Sequence, residues 1–119
     1  MSFDLAVWEG PIPDGDEAAL SEFERLMDLW QGDDPPPDGE PTPAIRAYVD
    51  ALLSRWPDIT TDEGEASPWA DGPLLNNATG PVVYFAMLWS RAEDAATFAA
   101  ATAKAHGLVC FDPQSCSLR

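Results

Sequence analysis

The chain of 119 residues carries 21 Asp and Glu against 6 Lys and Arg, for a formal net charge of −15. That length sets a single domain, residues 1–119, able to bury a core without disulfides or metals. The 45% apolar content and five Trp argue against a disordered chain despite 12 prolines. The acid excess counts against binding nucleic acid or an anionic membrane, both of which are negative, and favours a basic protein partner.

The first residues, Met1-Ser2-Phe3-Asp4-Leu5, show neither the basic segment nor the apolar stretch of a secretory leader. The longest apolar run, residues 82–89, is far shorter than a membrane span. A cytoplasmic location is the expectation.

In chain order, residues 3–8 alternate Phe3, Leu5, Val7 with Asp4, Ala6, Trp8, the period of a strand. Turn residues follow, and a helix is predicted from about Glu17, capped by Asp14 or Asp16. Leu20, Phe23, Leu26, Met27 and Trp30 share its apolar face, and Gly32 supplies a stop. Residues 33–43 hold five prolines and four acids, which no core helix or inner strand accommodates, so a stiff extended connection is expected. Thr42 and Pro43 then open a second helix whose inner face is Ile45, Val49, Leu52, Leu53 and Trp56, closed by Pro57.

After a second acidic loop at 58–66, a short edge strand is predicted at 73–76, where Pro73 cannot donate to a ladder. Residues 77–80 read as the turn of a hairpin longer than two residues, leading into the strongest strand signal, 82–90, apolar on both faces. Ser90-Arg91-Ala92-Glu93 has the capping-box spacing for a third helix, which runs to His106 and stops at Gly107. A last strand spans 108–112. The order β-α-α-β-β-α-β predicts an α+β, ferredoxin-like two-layer sandwich: a four-stranded antiparallel sheet with all helices on one face. The opposite face, carrying Asp4, Ala6 and Trp8 or their odd-numbered neighbours, would then be open as a contact surface. Trp8 and Trp89, each closing a central strand, would meet at one sheet end.

No catalytic, cofactor-binding or metal-binding set stands out. The eight glycines form no phosphate-cradling loop, and no G-x-S-x-G is present. His106, the single histidine, would be the base of any nucleophilic triad, but it falls at a helix end where an imidazole meets free carbonyls. With Cys110 and Cys116 it gives H-x3-C-x5-C, which lacks the paired spacing of structural zinc. Adjacent carboxylates at 33/34, 62/63 and 93/94 are abundant, and none has EF-hand spacing.

The segments Leu5-Ala6-Val7-Trp8-Glu9-Gly10-Pro11, Pro43-Ala44-Ile45, Arg55-Trp56-Pro57-Asp58, Ser67-Pro68-Trp69-Ala70 and Gly107-Leu108-Val109-Cys110-Phe111-Asp112-Pro113-Gln114 carry a resemblance. In their order and spacing the chain resembles small uncharacterised proteins of high-GC Gram-positive bacteria. In size and acidity it is similar in type to immunity proteins of bacterial toxin systems. That second resemblance implies an inhibitor of a basic toxin such as a nuclease.

The functional expectation is an acidic protein-binding module. Asp58, Asp62, Glu63, Glu65 and Asp71 would form the steering rim around Trp69, with Asp33, Asp34, Asp38 and Glu40 as a second patch. Trp69 reads either as an exposed anchor or as a plug folded over the core. The alternative is a small enzyme or ligand-binding domain using the open sheet face or a cleft near Trp8, Tyr84 and Trp89. Residues 1–72 hold 18 acids and 3 bases while 73–119 hold 3 of each, so the acidity is local.

Overall fold

The computed structural model describes residues 2–30, 39–56, 68–69 and 74–119. Its strands are β1 (Ser2–Trp8), β2 (Ala78–Thr79), β3 (Val82–Leu88), β4 (Val109–Asp112) and β5 (Ser117–Leu118). Its helices are α1 (Asp16–Trp30), α2 (Pro43–Arg55) and α3 (Ala92–Ala105). The strands form one antiparallel sheet in the order β2-β3-β1-β4-β5. The α+β class is as the sequence predicts, with β1 and β3 paired along their full length, Ser2 opposite Leu88 through Trp8 opposite Val82.

The expected helices on one face are corrected by the burial of β1. Leu5, Ala6 and Val7 are fully buried and Trp8 nearly so, although successive residues point to opposite faces. Leu5 and Val7 pack with Ile45, Tyr48, Val49 and Leu52 of α2 and Ala95, Ala96, Ala99 and Ala103 of α3. Ala6 and Trp8 pack with Ala19, Leu26, Leu20, Phe23, Met27 and Trp30 of α1. The sheet is therefore sandwiched between α1 and the α2–α3 pair, and no face carrying Trp8 is open. The alanine row of α3 lets that helix sit close to the sheet. Tyr48 crosses from α2 to donate to the Ala99 carbonyl at 2.9 Å.

Local chemistry explains where the elements begin and end. Thr42 Oγ1 accepts from the Ile45 amide at 3.3 Å with Pro43 at the first helical position, as predicted for α2. The α3 start differs: a 3-10 turn over Trp89–Arg91 intervenes, and no side chain caps the helix, so the capping box does not form. At the other end Gly107 adopts φ +70, with its amide bonded to Lys104 O and the Leu108 amide to Ala103 O. This is the paired bonding of a Schellman stop. Antiparallel pairing also separates Trp8 from Trp89, because the C-terminal ends of β1 and β3 lie at opposite ends of the sheet.

The first hairpin departs from the prediction in register. A 3-10 turn occupies Leu74–Asn77, the strand begins at Ala78, and the turn is the two-residue Gly80-Pro81. Gly80 has φ +55, suited to the first central position of such a turn. Its amide bonds Gly39 O and its carbonyl accepts from the Thr42 amide, tying the start of α2 to the hairpin tip. A Cβ at this position would lie 2.5 Å from Trp30 Cε3, so the indole at the end of α1 rests directly on the glycine backbone.

The fifth strand, absent from the sequence reading, follows a turn built on Asp112. The β1–β4 register would set Pro113 opposite Asp4, and proline has no N–H to offer the ladder. The Gln114 side chain takes over, accepting from the Asp4 amide and donating to the Asp4 carbonyl at 2.8 Å. Leu118 of β5 then donates to Asp16 Oδ1 at 3.1 Å, fixing the strand to the start of α1.

Gly80→Ala is expected to destabilise the protein by about 3 kcal/mol, from positive φ and overpacking against Trp30. Chemical denaturation checks the value. The double variant with Trp30→Leu should lose clearly less than the sum of the two single changes, because the clash partner is gone.

Candidate functional site

Asp112 is the buried charged residue among those described, 5% exposed, which makes it the first candidate for chemistry. Burial would raise its pKa. Hydrogen bonds from the Gln114 side chain and the Ser115 amide, together with Arg119, hold it below the ordinary carboxylate value. Its Oδ1 accepts from Gln114 Nε2 at 2.6 Å and from the Gln114 and Ser115 amides at 3.0 and 3.3 Å. Oδ2 accepts from Arg119 Nε at 3.3 Å. Both oxygens are thus occupied in closing the β4–β5 turn, a structural use. Tyr84, raised by burial and by its 2.7 Å bond to Asp4 Oδ2, is likewise committed within the sheet. Cys110 is pushed up to about 12, chiefly by burial, which leaves a neutral thiol. His106 is exposed at the C-cap of α3 with its ring edge-on to Tyr48. Among the described residues no three His, Cys, Asp or Glu side chains converge as a metal site requires.

The more distinctive feature is the outer surface of α1. Asp16, Glu17, Glu22, Glu24 and Asp28 stand against one base, Arg25, which is already paired with Glu22. That pairing lowers the Glu22 pKa through the Arg25 side-chain bond. Glu17, Glu24 and Asp28 are exposed and fall on one stripe, since seven and four residues separate them. Asp16 and Glu17 suit the helix N-terminus, whereas Asp28 lies in a last turn with no base, against the helix dipole. The opposite layer is balanced: Arg46 and Arg55 with Asp50 on α2, Lys104 with Glu93 and Asp94 on α3. Among the described residues the helical acid excess thus lies on α1, on one side of the sheet.

The loop from β1 into α1 adds an apolar element to this face. Ile12, between Pro11 and Pro13, is 74% exposed beside a depression of about 410 Å³ lined also by Glu9, Asp14 and Glu22. Leu29 on α1 is exposed as well. An exposed isoleucine rimmed by carboxylates is the arrangement expected for Trp69. The sequence signal was available, because an Ile flanked by two prolines belongs to no element that could bury it.

Trp69 itself is corrected. It is 1% exposed, packs edge-on against Trp56 and Phe85, donates from Nε1 to the Trp56 carbonyl at 2.8 Å, and bridges Met87. Of its two readings, the structure has the plug over the core, so Trp69 offers no apolar surface to a partner. Glu40 is exposed at the start of α2. Asp33, Asp34, Asp38, Asp58, Asp62, Glu63, Glu65 and Asp71 lie outside the described residues.

Comparison with models of protein families, with curated proteins and with solved structures gave no match. Among the described residues no helix is long and apolar enough to cross a membrane.

Two measurements follow from these charges. Asp28→Lys should stabilise the fold by about 0.5–1 kcal/mol by reversing an unfavourable dipole contact, read as a raised denaturation midpoint. Asp112 has a folded pKa below its unfolded value, so its contribution is present above the ordinary carboxylate pKa and lost as pH falls through the folded one. Asp112→Asn should flatten the acid limb of the stability–pH curve below about pH 4.

Proposed function

We propose that the protein is an acidic protein-binding module, an immunity-type or antitoxin-like inhibitor that docks a basic partner such as a nuclease toxin in the cytoplasm. One observation carries the reading: among the described residues α1 carries five carboxylates against the single cation Arg25, which Glu22 already pairs, while helices α2 and α3 together are balanced. Such a surface accelerates encounter with a basic protein and can occupy a groove built for polyanions. The retention of Asp28 where it weakens its own helix supports a role for that charge outside the fold. Ile12 and Leu29 supply the apolar contact that carboxylates alone lack.

In this reading the resemblance to immunity proteins is one of type, whereas that to small proteins of high-GC Gram-positive bacteria runs over nearly the full length and implies no activity. The ferredoxin-like description applies to β1, α2, β2, β3, α3 and β4, with α1 and β5 as additions. The additions matter, because α1 is the element that bears the proposed surface. The competing enzyme reading used an open sheet face or a cleft joining Trp8 and Trp89. The first is covered by α1, and the two tryptophans lie at opposite sheet ends.

The test is affinity capture from the native lysate with the intact protein and with the triple variant Glu17→Lys, Glu24→Lys, Asp28→Lys. The intact protein should retain a basic protein that high salt releases and the variant fails to retain. Retention unchanged by the reversal, or no basic protein at low salt, would remove the reading. Ile12→Ala should weaken the captured complex by about tenfold while leaving its salt dependence in place.

A further inference from the structure

Between α3 and the β4–β5 hairpin, a cavity of about 180 Å³ is lined by apolar Ala100, Leu108, Val109, Cys110 and Leu118 and by Ile12 of the β1–α1 loop, with Lys104 and Arg119 as its charged members. No Asp or Glu lines it, although acids outnumber bases 21 to 6 in the chain; Asp112 and Asp16 bond to its residues Arg119 and Leu118 without themselves lining it. The two described ion pairs are Arg25–Glu22 and Arg119–Asp112, so the Lys104 ammonium has no ionic partner among the described residues. Arg119 meets Asp112 through Nε and lies over the Phe3 ring at 5.5 Å, which leaves the in-plane donors of its two terminal nitrogens for another acceptor. The Cys110 thiol stays neutral and adds no negative charge to the floor.

Size and charge together select a ligand class. An apolar cavity of about 150 Å³ accommodates a benzene-sized molecule, and cations at an apolar pocket favour an anion that can accept charge-assisted hydrogen bonds. We infer that this cavity binds a small carboxylic acid with an apolar body of about one aromatic ring, its carboxylate held by Lys104 and Arg119. A phosphate or a dianion without an apolar body would leave the walls formed by Ala100, Leu108 and Leu118 unused. The site adjoins the acidic face through Ile12 and differs from it in its two cations.

Benzoate is the probe and benzamide its neutral counterpart, both followed by amide chemical-shift titration of the full chain. Benzoate should shift the resonances of Ala100, Lys104, Leu108 and Cys110 saturably, and benzamide should bind at least roughly tenfold more weakly. Lys104→Gln, a change at an exposed position, should reduce benzoate affinity by a similar factor without altering the rest of the spectrum. Ala100→Met, which fills the cavity while keeping both cations, should abolish binding. Equal binding of benzamide, shifts centred elsewhere, or full affinity in Lys104→Gln would each overturn the assignment.

Discussion

The fold depends on one constraint: β1 is buried on both faces. A strand with Leu5 and Val7 on one side and Ala6 and Trp8 on the other, all removed from water, cannot sit in a two-layer sandwich. Burying Leu, Val or Trp contributes on the order of 1.5–3 kcal/mol for each large side chain, so leaving either face open would forfeit much of a typical domain's stability. Helix α1 supplies the missing layer, and its aromatic contacts show how. Phe23 packs between Phe111 and Tyr84 at ring distances of 5.2 and 6.0 Å, and Trp8 lies 6.0 Å from Phe111. The outer residues of the same helix are released from packing and can be charged at little cost.

With α1 on one face and α2 on the other, the end of the first and the approach to the second meet at the hairpin tip. Gly80 receives the Trp30 ring from the end of α1 and exchanges backbone hydrogen bonds with Gly39 and Thr42 at the start of α2. Both segments are thus fixed to one two-residue turn. At the opposite edge Gln114 performs a comparable service, its amide standing in for the strand partner that Pro113 cannot be. These two adaptations hold the layers in register without disulfides; Cys110 and Cys116 are both free thiols.

Much of this architecture was legible in the sequence. The period-two pattern of 3–8, the doubly apolar 82–90 run, the Thr42-Pro43 start and the Gly107 stop each rest on local chemistry that tertiary structure did not override. The side of the sheet taken by α1 was not legible from element order, although Trp8 and Ala6 facing away from Leu5 and Val7 already demanded cover. Ser90 failed as a cap because a 3-10 turn at Trp89–Arg91 displaced the helix start, a competition that spacing alone does not reveal. β5 escaped notice because two residues show no periodicity, and its position follows from the Asp112 turn and from Asp16. Trp69 was ambiguous for the same reason: a loop residue acquires its burial from distant partners, here Trp56, Phe85 and Met87. The acid excess of residues 1–72 is visible in the sequence, but that α1 and α2 within it lie on opposite sides of the sheet follows only from the topology.

Helix α1 is therefore an integral layer of the core that also presents the charged surface, and not an appendage laid over a complete domain. Residue-resolved hydrogen exchange of the full chain tests this most directly. The inner amides of α1, around Phe23 and Leu26, should exchange with the same opening free energy as those of β1 at Ala6 and Trp8, both near the global value. Rapid exchange of α1 while β1 and β3 stay protected would show that the sheet stands without it, and would contradict the account.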